Sequence, residues 1–399
     1  MAYQRIIRAA FGVVTVVATA VVLAGCGGSG NERREPHGGT INVAIVDTPN
    51  TQDLARLTPS LFTKATGVKV NYTILDEGTL REVVTRDVPS GHRQFDAVMI
   101  GPYEAPPFGH DGYIRDLTKM AESDHGYDLP DVFSTLRDAL SYHGTLYALP
   151  FYGESSFLMF RRDVLDAAGI QMPPHPTWEQ VAAIAREVDT PDRAGICLRG
   201  KAGWGELGAT FTTMLNTFGG TWWAAKPDGS VGRAMVDQPE FRTTLQFYVD
   251  LVRDAGEKNA IGTTFNECLA LYLAGKTTMW YDATVAAGLI DASDSAVRGK
   301  NGYVPAPVER TRASGWLWSW AFAIPKSTPK ANLAWKYIAW ATSKQYIRQA
   351  GPRIAGGWAA IPPGTRRSTY ELPEYRTVSR AFAKPALDAI ESAPINDPG

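Results

Sequence analysis

Over the first hundred residues after the N-terminal segment, apolar positions switch repeatedly between a short unbroken run and a helical period. Ile41 to Val46 is an apolar run ended by Asp47-Thr48-Pro49-Asn50. Leu54, Leu57, Leu61 and Phe62 then recur on one helical face until Gly67. Val68 to Leu75 predicts a second strand, and Leu80, Val83 and Val84 a second helix. Phe95 to Ile100 predicts a third strand, closing on Gly101-Pro102-Tyr103-Glu104. Strand and helix in alternation predict a parallel sheet with helices on its faces. Ligands of such sheets sit beyond the carboxyl ends of the strands. Those ends are Asp47 to Asn50, Asp76 to Gly78 and Pro102 to Glu104.

The alternation restarts after Leu149 to Phe160, a run apolar at both ends with Glu154, Ser155 and Ser156 at its centre. Burying such groups is costly unless something hydrogen-bonds them, so either protein atoms or a hydroxyl-rich ligand must answer them. Beyond it, Thr177-Trp178-Glu179-Gln180 has the spacing of a capping box opening a helix through Val188. Ala194 to Leu198 and Thr277 to Tyr281 predict strands, the second leading into Asp282. Helices are predicted at 163–169, 210–218, 239–255 and 265–274, the third with Phe241, Leu245, Tyr248, Val249 and Val252 facing inward. Trp222 and Trp223 fall in a turn. Trp316, Trp318 and Trp320 alternate, which puts them on one face of a strand. The chain therefore reads as an α/β protein of two lobes, with Leu149 to Phe160 crossing between them.

The address is written at the N-terminus. Arg5 and Arg8 precede an uncharged apolar run from Ala9 to Gly25, the pattern of a signal peptide. The ending Leu23-Ala24-Gly25-Cys26 resembles the lipobox of bacterial lipoproteins, in which the cysteine is lipidated. Residues 1–25 would then be removed and residues 26–39, rich in Gly, Ser and charge, would tether the domain to the membrane. Export permits a disulfide between the remaining cysteines, Cys197 and Cys268, although two buried thiols fit the sequence equally well.

Composition narrows the chemistry. A chain of 399 residues exceeds what one core usually supports. A net charge of −1, with no block of Lys or Arg, argues against a nucleic-acid partner. The six histidines are scattered, giving metal ligation no support, and no cofactor is expected. Gly203-Trp204-Gly205-Glu206-Leu207-Gly208 matches a dinucleotide fingerprint literally. It lacks the acid about 20 residues on, at the end of a second strand, and a Trp occupies its tight turn. What accumulates instead is tryptophan beside carboxylates. Ring faces and fixed acids suit a neutral polyhydroxylated ligand, but a glycoside hydrolase uses the same groups as a carboxylate pair. The residues alone leave both readings open.

Several segments resemble the family 1 extracellular solute-binding proteins of ABC importers, the maltose-binding-protein class. They are Leu149 to Ser156, Pro176-Thr-Trp-Glu and Ala274-Gly-Lys-Thr-Thr-Met-Trp, with the lipobox at Cys26. Ile100 to Glu104, Met279 to Gly288, Gly315 to Ala321 and Pro362 to Tyr370 are similar to the sorbitol/mannitol-type branch. The resemblance implies two α/β lobes joined by a hinge, non-enzymatic capture of a polyol or small sugar in the cleft, a monomer, and delivery to a membrane permease. It implies lobe 1 at 40–151 plus 302–350 and lobe 2 at 152–301 plus 351–399, with crossings near Phe151, Gly302 and Ala350. Members of that family usually continue past the position of Gly399 with further helices packed on the second lobe, so either those helices are absent from this sequence or the chain is naturally short. The cleft residues it implies are Asp47, Asn50, Glu77, Tyr103, Glu104, Tyr152, Glu154, Trp222, Trp280, Asp282, Trp316, Trp318 and Arg353. A sulfate ligand is disfavoured, since these segments are acidic and aromatic.

Overall fold

In the computed structural model, residues 38–226, 231–312 and 314–393 are described. The predicted signal peptide, Cys26 and the tether as far as His37 lie outside them, as do the last six residues. The main strands, in chain order, are β1 (Gly39–Val46), β2 (Val68–Leu75), β3 (Ala97–Ile100), β4 (Leu149–Glu154) and β5 (Ser156–Arg161). They continue with β6 (Ala194–Cys197), β7 (Thr277–Ala283), β8 (Asn301–Pro305) and β9 (Trp318–Ala323). One sheet has the order β2-β1-β3-β9-β4 and the other β8-β5-β7-β6.

Both sheets are mixed. β1 pairs parallel with β2 and β3, whereas β9 runs antiparallel to β3 and β4. In the second sheet β7 is parallel to β6 and antiparallel to β5, and β8 is antiparallel to β5. Strands covered on both faces read as unbroken apolar runs. β3 and β7 show this, with every residue buried.

Helices α1 (Pro49–Thr58), α2 (Glu77–Ser90), α3 (Trp178–Val188) and α4 (Ala209–Thr217) follow the predicted periods. α5 (Pro239–Ala255) and α6 (Phe265–Leu273) fall where helices are predicted; α7 (Ala331–Ala341) follows β9, and α8 (Ala383–Ser392) lies in a stretch with no predicted element. The capping box of α3 forms as its spacing requires: Gln180 N–H donates to Thr177 Oγ1 at 3.1 Å and Thr177 N–H donates to Gln180 Oε1 at 2.9 Å. α5 turns a different face inward than predicted. It buries Phe241, Thr244, Tyr248, Leu251 and Ala255, while Leu245 and Val249 are 44% and 48% exposed. The small Thr244 and Ala255 lie on the buried stripe because the helix packs close to α4 and β6.

The chain passes between sheets at a single residue, Ser155, which separates β4 from β5. Its backbone is fixed by Thr284 on both sides: Ser155 N–H donates to Thr284 Oγ1 at 3.1 Å, and Thr284 N–H donates to the Ser155 carbonyl at 2.8 Å. The expected return near Gly302 is displaced. Gly302 lies inside β8, paired with Phe160 of the second sheet, so the return falls between Pro305 and Trp318. After Ala350 the chain continues to α8, which packs on β5 and β8. Cys197 and Cys268 are joined in a disulfide, spanning 71 residues and binding the end of β6 to α6.

Candidate functional site

The carboxyl ends of β1, β2 and β3 face the second sheet across a cavity of about 270 Å³. From the first lobe come Asp47, Glu77, Tyr103, Tyr152 and Glu154, with Trp316, Trp318 and Trp320 from the returning segment. From the second come Arg199 and Lys201 after β6, Trp204 to Glu206, the start of α4, and Thr264 to Glu267 at the start of α6.

Glu154 is the last residue of β4 and is buried at 6% exposure. Burial pushes its carboxyl well above the usual range; Arg199 opposes that shift, and Asp282 and Glu77 add to it. Of the polar trio at the crossing, the Ser156 hydroxyl lies 2.9 Å from that of Tyr281, whereas the buried Ser155 hydroxyl meets no partner among the described residues and only its backbone is bound, by Thr284. Glu154 lines the cavity. Glu206, also buried, is pushed up to about 7 by desolvation. Glu206 can therefore hold a proton near neutrality, and a protonated carboxyl both donates and accepts hydrogen bonds.

The aromatic wall is built on β9. Trp318 lies over Gly101, its indole filling the space that any side chain there would need. Arg81 stacks on Trp318 at 4.5 Å and on Trp320 at 5.2 Å from the ring centroids. Its guanidinium also pairs with Glu77 at 3.0 Å and with Glu104. Across the cavity Arg199 donates through Nε and Nη2 to both oxygens of Asp282, at 2.9 and 2.6 Å. Its Nη1 donates to the Gly205 carbonyl at 2.6 Å and lies 3.6 Å from Glu77. Burial works against the charge of Arg199, but Asp282 and Glu77 hold it firmly protonated.

Seven of the predicted residues line the cavity: Asp47, Glu77, Tyr103, Tyr152, Glu154, Trp316 and Trp318. The other six lie elsewhere. Asp282 and Trp280 are fully buried one layer behind, where Asp282 binds Arg199 and accepts from Trp280 Nε1 at 3.1 Å. Trp280 packs between Phe265 and Tyr272 because both faces of β7 are covered. Glu104 anchors Arg81 and accepts from the Gly101 N–H at 2.9 Å. Trp222 donates to Thr212 Oγ1 at 2.8 Å and packs among Trp204, Phe211 and Phe241, outside the lining. Asn50 is buried and donates to the Ala360 carbonyl at 2.8 Å. Arg353 is exposed, donating to the Gln349 carbonyl.

Residue patterns had not singled out Arg81, Arg199 or Lys201 for this wall, nor Trp204 and Glu206 of the rejected glycine motif; Trp320, placed by alternation on the face of Trp316 and Trp318, was left out of the cleft residues. Beside the acidic and aromatic groups expected there, the cavity therefore also carries Arg81, Arg199 and Lys201. Each of the three cations faces a carboxylate, which neutralises it. Among the described residues no cluster of His, Cys, Asp and Glu could hold a metal ion, and no helix is long and apolar enough to cross a membrane.

Known proteins share this architecture. A mannitol-binding protein of Pseudomonas aeruginosa is 37% identical over 365 residues, covering 90% of this chain and 80% of the relative. A crystal structure of an ABC transporter solute-binding protein from Agrobacterium vitis S4, with bound D-mannitol, superposes with a TM-score of 0.84. It is 41% identical, covering 89% of this chain and 84% of that one. A solute-binding protein from Agrobacterium radiobacter K84, in complex with ribitol, has the same fold (TM-score 0.79, 24% identity, 90% and 89% coverage). Residues 46–347 match the family described as bacterial extracellular solute-binding protein. The chain belongs to that family, whose members bind solutes and are not enzymes.

Proposed function

We propose that this protein captures an acyclic polyol of the mannitol, sorbitol, arabitol or xylitol type, or a small sugar, in the cavity between its sheets. It then hands the ligand to the permease of an ABC importer. The observation that carries this reading is the wall itself: the indoles of Trp316, Trp318 and Trp320 line one cavity with the buried carboxyl of Glu154, which pairs with Trp318 on the neighbouring strand, and charged groups are already paired. C–H surface of a polyol would lie on the rings, and its hydroxyls would meet Glu154, Glu206, Asp47 and Tyr152. A cavity of about 270 Å³ suits a ligand at or below the small end of the usual range. The relatives that bind mannitol support the same ligand class.

Export would precede capture. The signal peptide and lipobox support anchoring of the mature chain by a lipid on Cys26, and Cys26→Ala should release the protein from membranes of its host. Calorimetry and melting shifts with mannitol, sorbitol, arabitol, xylitol and common sugars test the ligand class; absence of heat and of any shift with all of them would refute it. Glu154→Gln should weaken the best polyol about tenfold, roughly 1.4 kcal/mol.

A further inference from the structure

Gly203 to Gly208, which fails as a dinucleotide site, sits where the second lobe meets the first. Trp204 packs on Tyr103 across the cleft, with 5.6 Å between ring centroids. Lys201 faces Asp76 at 3.7 Å, and Arg199 faces Glu77 at 3.6 Å. Gly205 lies among these contacts. A Cβ at this position would fall on the Glu77 carboxylate and lie only 3.0 Å from Glu77 Cγ.

Neither side has slack. Glu77 is the first residue of α2, and its carboxylate is held by Arg81 at 3.0 Å. The Gly205 carbonyl accepts from Arg199, which Asp282 fixes through two further bonds. A side chain at 205 would therefore leave two outcomes. Glu77 could swing away from its arginines, or the lobes could stop short of contact. Either one removes the same seat.

We propose that Gly205 is a specificity-determining residue of the cleft. By letting second-lobe backbone rest directly on Glu77, it sets how far the lobes close and hence the size of ligand that both can touch at once. The ligand named here rests on the polyol-capture reading; the seat itself is a property of the fold. A ligand favours the closed form only through contacts with both lobes, so one methyl at the seat separates a short polyol from half of its partners.

The test is a double-mutant cycle with Gly205→Ala, Glu77→Ala and the pair, read by D-mannitol calorimetry and small-angle X-ray scattering. Gly205→Ala should bind mannitol about tenfold or more weaker, with the ligand-free melting temperature within about 2 °C of wild type. At saturating mannitol its radius of gyration should exceed that of wild type. In the Glu77→Ala background the same substitution should cost about twofold or less, because the group it collides with is gone. Wild-type affinity in Gly205→Ala, or an undiminished loss in the Glu77→Ala background, would overturn the proposal. Should wild type bind no polyol, the capture reading fails and scattering alone decides. A radius of gyration larger in Gly205→Ala than in wild type, and restored by Glu77→Ala, supports the seat; equal radii overturn it.

Discussion

Arg199 shows how a cleft cation is made tolerable. It is 5% exposed, and Asp282, fully buried behind it, takes two of its N–H groups. Removing one member of a buried pair strands the other, which typically costs about 3–5 kcal/mol. Asp282→Ala should therefore lower the unfolding free energy read from denaturant curves by that order and weaken ligand binding, since Arg199 would lose its place in the cavity wall. Glu257 offers a cleaner reading of pH, because it lies outside the cavity and burial pushes its carboxyl up to about 7. Between the ordinary carboxylate range and pH 7, folded Glu257 keeps a proton that the unfolded chain has released. Stability should therefore fall as pH rises through that window and level off above it. Melting curves from pH 5 to 8 should show a smaller fall in Glu257→Gln. Arg199 itself was open to sequence reasoning: it follows the predicted strand 194–198 directly, and the carboxyl-end rule used for the first lobe would have found it in the second. Trp280 and Asp282 misled for the opposite reason. A Trp beside an acid looks the same whether it faces a ligand or a neighbouring arginine, and only the layering of β7 separates the two.

At the scale of elements, periodicity was informative wherever one face was buried and the other wet. α3 and α6 were legible on that ground, whereas β3, covered on both faces, was legible as a short unbroken apolar run. α5 was not, since its buried stripe uses Thr244 and Ala255 while Leu245 and Val249 face out. The resemblance gave 302–350 to the first lobe, yet β8 pairs with β5 of the second sheet, and nothing in Asn301 to Pro305 says which neighbour it pairs with. The disulfide is a further element that no spacing could decide. It joins Cys197, two residues before Arg199, to Cys268, just after the cavity residues Phe265 to Glu267. Closing a loop of 71 residues contributes up to about 4 kcal/mol through the unfolded chain. The double variant Cys197→Ser, Cys268→Ser should melt earlier. If the bridge also braces the wall, mannitol affinity measured well below the melting range should fall too.

For the whole molecule, capture and stability are linked. A ligand at 100 times its dissociation constant should add about 2.7 kcal/mol to unfolding, so a polyol that binds raises the melting temperature in proportion to the logarithm of its concentration. The two-sheet architecture was legible from alternation and resemblance, as was the cavity's position beyond the strand ends. Its salt-paired rim was not, because ion pairs between Glu77 and Arg199, or Asp76 and Lys201, join residues more than a hundred positions apart.

One feature of the backbone bears on how fast such a protein can work. β4 and β5 are separated by Ser155 alone, and the two hydrogen bonds with Thr284 leave little room for local sagging. A joint this short behaves as a stiff pivot with long arms: small torsions near one residue become large displacements at the mouth, while motion in other directions is suppressed. Opening about this joint should therefore follow a narrow arc, and the residence time of a guest should depend on how often thermal motion traverses it.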